Sequence, residues 1–126
     1  MKVIRIVPNL SSAAFAASRD FYAALFDLGV SVELDWYLQL APQSDNKLNI
    51  GFVKPDHELF AGRTASAAGT HGLVLTVHVD DVDEAYERAK RLGAEIAAEI
   101  RNEEHGQRHF LVVDPNGVLL NVMSTI

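Results

Sequence analysis

The side chains able to bind metal ions or transfer protons are scattered along the sequence. There are five histidines and no cysteine, which excludes disulfides, thiolate metal sites and cysteine nucleophiles. No two histidines have the close helical or strand spacing that favours a zinc site. Ser11 and Ser12 lack the surrounding glycines of a nucleophile elbow and are interpreted as helix caps. The sequence therefore identifies no catalytic residue.

Two asparagines and one arginine have types suited to holding a small molecule. Asn49 and Asn121 could bond a ligand through their amides, or could satisfy each other and nearby backbone. Arg108 could bind a carboxylate or phosphate with its planar guanidinium, or could pair only with Glu103 or Glu104. Both readings stay open for each of these residues.

Composition narrows the class of partner. The chain has 126 residues, enough for one domain, and a formal net charge of -6, which disfavours binding to nucleic acid or to an anionic membrane surface. No stretch approaches the ~20 apolar residues of a membrane span, and the N-terminus does not resemble a secretion signal. We expect a cytoplasmic protein.

The elements that must position these residues come in two similar runs. The first run has a strand at Lys2–Val7, a helix from about Ser12 to a stop at Gly29, and strands at Val30–Leu34, Trp36–Leu40 and Leu48–Val53. The second has a strand at Gly72–Val79, a helix that starts with a capping box at Asp81 and Glu84 and stops at Gly93, and strands at Ala94–Ile100, Arg108–Val113 and Val118–Met123. A turn at 114–117 joins the last two strands.

Matching residues show that the two runs are a repeat. Tyr22 and Gly29 recur as Tyr86 and Gly93, and the segment 48–50 recurs as 120–122. The predicted class is α+β, with two βαβββ modules in tandem forming a curved mixed sheet cleft and helices on the outer face. Module one is predicted over about 1–53, a linker with a short turn near Asp56–Phe60 over about 54–70, and module two over about 71–126.

Three segments resemble the vicinal oxygen chelate superfamily, which includes glyoxalase I, extradiol dioxygenases and bleomycin-resistance proteins. They are 17–22 in the first helix, 79–86 at the start of the second helix, and 106–108 leading to 113–117. The resemblance spans nearly the whole chain and implies the fold. It is weaker as an indication of chemistry, because one fold hosts many functions.

The resemblance also implies where a divalent metal would be held. Family metalloenzymes use side chains from the first and last strand of each module, and the matching positions here are Val7, Asn49, Val74 and Asn121. Valine has no lone pair and neutral amides cannot balance a divalent charge, so we expect no metal and no other cofactor.

Strand alternation predicts which side chains face the cleft. If Asn121 faces the cleft, the residues two positions before and after it on the same strand face it too. So do the residues expected to pair with them across the hairpin, whereas His109 points away. Trp36 is interpreted as a core or dimer-interface residue or as a stacking platform. The predicted ligand-binding residues are Arg5, Tyr37, Gln39, Asn49, Thr76, Arg108, Phe110, Asn121 and Met123.

These features favour a non-catalytic protein that sequesters a small molecule, an antibiotic or a metabolite, in the sheet cleft. The expected ligand is partly aromatic and forms hydrogen bonds. The expected assembly is a homodimer, because small half-cups need a partner to enclose a ligand. The alternatives are a glyoxalase-like metal-dependent lyase, isomerase or dioxygenase, and a metal-free enzyme or scaffold.

Overall fold

The chain folds into two compact units. The computed structural model describes residues 1–45, 47–61, 63–64 and 72–126, and its contacts divide the chain into Met1–Ala68 and Gly69–Ile126. Among the described residues, each unit has one α-helix and one four-stranded mixed sheet, which confirms the predicted α+β class with two βαβββ modules in tandem. No helix in the described part of the chain is long and apolar enough to cross a membrane.

The elements of the first unit are β1 (Asn9–Ser11), α1 (Phe15–Phe26), β2 (Leu28–Glu33), β3 (Tyr37–Pro42) and β4 (Ile50–Val53). Its strands lie in the order β1-β4-β3-β2. The β1–β4 pair is parallel, and the other two pairs are antiparallel. A 3-10 turn at Glu58–Phe60 confirms the short turn predicted there.

The elements of the second unit are β5 (Val74–His78), α2 (Val82–Arg91), β6 (Glu95–Glu103), β7 (Gln107–Val113) and β8 (Leu119–Thr125). The unit repeats the topology of the first, with its strands in the order β5-β8-β7-β6. Here β5 and β8 are parallel, and the remaining pairs are antiparallel.

Each helix packs on one face of its own sheet. In the first unit the Tyr22 ring of α1 lies 5.5 Å from the Phe52 ring of β4, above Leu38 and Leu40, all of them buried. In the second unit Tyr86 of α2 lies 5.0 Å from Phe110. Burial of these apolar side chains is the main stabilising term, and it leaves the opposite face of each sheet for polar groups.

The first strand lies later in the chain than predicted. Residues 2–7 lie outside any strand, and β1 pairs Asn9 with Gly51 and Ser11 with Val53. The strand therefore includes Ser11, one of the two serines predicted to cap the first helix, and the N-cap of that helix is Ala14. Pro8 has no N–H, but its carbonyl accepts the Gly51 N–H at 2.8 Å. Sheet pairing here outweighs the β-propensity of the preceding residues.

The face assignment for β7 was also wrong. Leu111 pairs with Asn121 and Val113 with Leu119, so odd-numbered residues of β7 and β8 share one face. Phe110 therefore lies on the helix side, and His109 lies on the side of Asn121. A register shifted by one residue exchanges the two faces of a strand.

The local signals for the second helix are confirmed. The Asp81 carboxylate accepts the Glu84 N–H at 3.0 Å, and Gly93 adopts a φ of 69° after the helix. Asp114 accepts the backbone N–H groups of Asn116 and Val118, each at 2.8 Å, in the predicted turn. Much of the predicted linker, Gly62 and residues 65–70, and His71 lie outside the described residues, so the module boundaries stay a prediction.

Candidate functional site

Polar side chains form a hydrogen-bonded row on the face of the first sheet opposite α1. The Tyr37 hydroxyl lies 2.7 Å from Asn9 Oδ1 and 2.9 Å from Gln39 Oε1. Gln39 Nε2 donates to Asn49 Oδ1 at 2.8 Å and to Ser31 Oγ at 3.3 Å. We call Asn9, Ser31, Tyr37, Gln39 and Asn49 the first polar row. It includes three of the residues predicted to bind a ligand.

Glycine at position 51 makes the first polar row possible. The Tyr37 side chain reaches Asn9 across β4 at this glycine, and a Cβ built there would lie 2.9 Å from Tyr37 Cζ and closer still to the Tyr37 hydroxyl and Asn9 Oδ1. Any side chain at position 51 would therefore displace the tyrosine or the asparagine.

Burial and one positive charge act on Tyr37 in opposite directions. Burial raises the pKa of its phenol, and the nearby charge of Arg5 offsets part of that rise. The phenol is thus held as a neutral hydrogen-bonding group. Arg5, which was predicted to line the cleft, lies before β1 and is exposed.

A second row crosses all four strands of the second sheet, on the face opposite α2. His109 Nδ1 lies 2.8 Å from Asn121 Oδ1, and its Nε2 lies 3.1 Å from Glu103 Oε1. Asn121 Nδ2 donates to Thr76 Oγ1 at 3.3 Å, and Arg101 forms an ion pair with Glu103. We call Thr76, Asn121, His109, Glu103 and Arg101 the second polar row.

The second polar row has a charged end. Hydrogen bonds from His109 and Arg101 hold the pKa of the Glu103 carboxyl below its ordinary value. The side chains of His109 and Glu103 are 20% and 24% exposed, so both groups are screened from bulk water only in part. The first polar row contains neutral side chains alone, so the two sheets differ in electrostatic character.

The two rows are built on equivalent positions of the repeat. Gln39 lies opposite Gly51 and His109 lies opposite Met123, and each partner is two residues after an asparagine, Asn49 or Asn121. Gln39 and His109 are therefore counterparts. His109 and Glu103 were missed because the hairpin register was assigned wrongly, although the repeat of Asn49 at Asn121 was a usable signal.

Two of the predicted ligand-binding residues lie on the other face of the second sheet. Phe110 is fully buried under α2 against Tyr86. Arg108 bonds Asp83 of α2 through Nη2 at 2.9 Å and Asn102 through Nη1 at 3.0 Å, so neither predicted glutamate is its partner. That pairing raises the pKa of Arg108 and lowers the pKa of Asp83. Arg108 and Phe110 thus tie the sheet to its helix.

The remaining predicted residues keep their expected face. Met123 is fully buried and pairs with His78 and His109 in neighbouring strands. Thr76 lies opposite Asn121 in the parallel pair of β5 and β8. Whether these side chains touch a ligand stays a prediction.

The donor set at the family's metal positions does not fit a divalent ion. Val7 lies outside β1, and Val74 lies opposite Leu119, so the residue opposite Asn121 is Thr76. The Oδ1 atoms of Asn49 and Asn121 are engaged by Gln39 and His109. Neutral amides and a hydroxyl are weak ligands without carboxylates beside them. Among the residues that the structure describes, no three His, Cys, Asp or Glu side chains group as around a metal.

Trp36 packs against the segment that follows β4. Its ring stacks on His57 with the centroids 4.3 Å apart and lies 6.4 Å from the Phe60 ring. His57 Nδ1 also accepts the Leu59 N–H at 3.2 Å, so His57 is held in place by the 3-10 turn that follows it. Trp36 thus helps to fix the course of residues 54–60.

Known proteins share this fold. A glyoxalase/bleomycin resistance protein/dioxygenase family enzyme from Burkholderia phytofirmans superposes with a TM-score of 0.81 at 19% identity, over 95% of this chain and 97% of that chain. The bleomycin resistance determinant encoded on transposon Tn5 gives a TM-score of 0.71 at 21% identity, over 98% of both chains. These likenesses show the fold alone.

Sequence comparison adds the family. The protein Mb0911c of Mycobacterium bovis is 28% identical over 115 residues, 87% of this chain and 76% of that protein. The sequence profile of one superfamily matches residues 8–122. That match covers both polar rows, from Asn9 to Asn121. The chain belongs to the Glyoxalase/Bleomycin resistance protein/Dioxygenase superfamily.

Proposed function

We propose that this protein binds a small molecule on the polar faces of its sheets and does so without a metal ion. The observation that carries the proposal is the pairing of Gln39 with Asn49 and of His109 with Asn121, each at 2.8 Å. Asn49 and Asn121 stand at two of the positions that the superfamily resemblance assigns to metal ligands, and both are neutral amides. Amides offer both donors and acceptors, which suits the orientation of an uncharged polar ligand.

The side chains around the rows define the kind of ligand. Tyr37 contributes a half-buried aromatic ring, and Arg5 adds a positive charge near it. A molecule with a ring and several hydrogen-bonding groups fits this chemistry. Sequestration of an antibiotic or a metabolite is the proposed role, and bleomycin is the first probe because the Tn5 protein is a bleomycin resistance determinant.

The test of this function uses asparagine variants and bleomycin. Asn49→Ala and Asn121→Ala should each weaken binding by about 1–3 kcal/mol, because a polar group of the bound ligand loses its partner. Isothermal titration calorimetry gives the affinity, and thermal melting gives the stability. Asn102→Ala is the matched control, since Asn102 bonds Arg108 on the helix side of the second sheet. Unchanged affinity with a lower melting temperature in both row variants would mean that the asparagines serve the scaffold.

A second prediction concerns metal ions. The purified protein should carry no stoichiometric metal, and zinc, nickel, manganese or iron should not raise its melting temperature, because only binding to the native state stabilises it. Elemental analysis and a thermal shift series with and without each ion measure this. One tightly held ion per chain that Asn49→Ala or Asn121→Ala removes would instead support the metal-dependent lyase, isomerase or dioxygenase.

A third prediction is a homodimer. Several apolar side chains of the first unit are exposed, including Val30 and Val32 of the edge strand β2 and Leu34 just after it, at 44%, 37% and 48%. Exposed apolar edges favour association, and most soluble homo-oligomers are closed two-fold dimers. Light scattering at tens of micromolar should report twice the chain mass of 13.8 kDa. A single-chain mass at that concentration would count against the dimer.

A further inference from the structure

The two polar rows use different chemistry for the same hydrogen bond. Gln39 in β3 and His109 in β7 hold equivalent positions, and each lies 2.8 Å from the Oδ1 atom of its asparagine. The Gln39 amide nitrogen always carries hydrogen and always donates. His109 Nδ1 donates only when it is protonated and accepts otherwise. The direction of this hydrogen bond is therefore fixed in the first unit and can reverse in the second.

Two arrangements of hydrogen fit the heavy atoms of the second polar row. With both ring nitrogens protonated, His109 donates to Asn121 Oδ1 and to Glu103, and the Asn121 amide nitrogen donates to Thr76. With Nδ1 deprotonated, the Asn121 amide turns by half a rotation, so that its nitrogen donates to His109. The Thr76 hydroxyl then donates to the amide oxygen, because a hydroxyl can both donate and accept.

The residues around His109 determine which of its two ring nitrogens can gain or lose a proton. Glu103 and Arg101 of β6 face it, with Arg101 directly opposite in the register, and His78 of β5 lies beyond Met123. Its neighbours on β8, Asn121 and Met123, do not titrate. Glu103 accepts from Arg101 as well and stays a carboxylate, which keeps a hydrogen on Nε2 in both arrangements. The exchangeable proton is therefore the one on Nδ1.

We propose that the proton on His109 Nδ1 determines which end of the Asn121 amide lies beside Thr76 in the second polar row. With the proton in place the amide nitrogen lies there, and its second N–H can donate to a ligand acceptor such as a carbonyl or ether oxygen. Without it the amide oxygen lies there, and its second lone pair can accept from a ligand N–H or O–H. His109 is a positioning residue that acts through Asn121. The consequence for ligands rests on the proposed function, whereas the rotation of the amide does not.

The rotation can be measured without any ligand. In 15N-labelled protein, the side-chain amide signals of Asn121 should shift with pH at the same midpoint as the Nδ1 signal of His109. The Asn49 amide is the internal control and should not follow that midpoint, because its partner Gln39 does not titrate. Titration of Nδ1 with a stationary Asn121 amide would overturn the proposal.

Two variants distinguish the proposed rotation of the Asn121 amide from a general effect of pH. His109→Gln copies the first polar row into the second, so the Asn121 amide should lose its pH-dependent shift while the fold is kept. Glu103→Gln removes the carboxylate that accepts from His109 Nε2, and the Asn121 amide signals should still follow the Nδ1 signal of His109. An Asn121 shift that persists in His109→Gln, or midpoints that separate in Glu103→Gln, would contradict the proposal.

Bleomycin then tests the consequence for binding. The ratio of its affinity for wild-type protein to that for His109→Gln should change across the midpoint measured by NMR, and ionisation of the drug itself cancels in this ratio. A constant ratio together with a confirmed amide rotation would reject the role in ligand selection. Failure of bleomycin to bind either protein would count against the proposed function, and the NMR titration would then decide the rotation by itself.

Discussion

Replacing Phe110 with alanine is expected to lower the free energy of unfolding by about 3–5 kcal/mol. The ring is fully buried, packs at 5.0 Å from Tyr86 of α2, and lies opposite Val122 in the neighbouring strand. Truncation removes that burial and leaves a cavity between the helix and the sheet. Because whole domains are stable by only about 5–15 kcal/mol, this one change removes a large share of the total.

Urea denaturation of the wild type and the variant measures the change, and the matched control lies one residue further along the strand. Leu111 points to the opposite face and is half-buried, so Leu111→Ala should cost clearly less than Phe110→Ala. If Phe110→Ala kept full stability and lost only bleomycin binding, the ring would belong to the ligand site after all. The comparison thus decides between the two faces of β7.

What the sequence predicted well depends on short-range chemistry. The capping box of Asp81 and Glu84, the glycine that ends α2 and the turn anchored by Asp114 are each determined within a few residues. The tandem repeat was also readable, because duplicated residues keep their order along the chain. These local features were sufficient to indicate the fold class.

What the sequence did not predict depends on strand register. The residues 2–7 have strong β-propensity, yet β1 forms at Asn9–Ser11 because that segment has the pairing partner in β4. Likewise a shift of one residue at the hairpin exchanged His109 for Phe110 on the open face of the second sheet. Pairing between distant segments is a property of the folded sheet, and alternation within one strand cannot determine it.

The candidate site was likewise predicted only in the part that did not depend on strand register. Tyr37, Gln39 and Asn49 were placed together correctly, because β3 alternates clearly between buried leucines and polar residues. Of the second polar row, the sequence predicted only Thr76 and Asn121. Its titratable members His109 and Glu103 were identified from the strand register of the folded sheet. The difference between a neutral row and a charged row was therefore not readable from residue types alone.

Replacing Gly51 with alanine is expected to destabilise the protein by about 2–4 kcal/mol and to disrupt the first polar row. The added Cβ would lie 2.9 Å from Tyr37 Cζ and closer to the Tyr37 hydroxyl and Asn9 Oδ1. Both side chains must move, so their hydrogen bond is lost together with the packing of the ring. Binding of a ligand to this face should weaken in parallel. Urea denaturation and calorimetry with bleomycin give the two effects.

Gly29 supplies the control because it lies in β2 of the same sheet and a Cβ there would meet nothing within 4 Å. Gly29→Ala should therefore leave stability within about 0.5 kcal/mol of the wild type. The clash itself is tested by removing its partners: in a protein carrying Asn9→Ala and Tyr37→Leu, the further change Gly51→Ala should cost much less, since residues in contact are not additive. An equal loss of stability in both backgrounds would mean that the effect of Gly51→Ala arises in the backbone of β4. Tyr37 would then cross β4 for a reason other than the absence of a side chain at position 51.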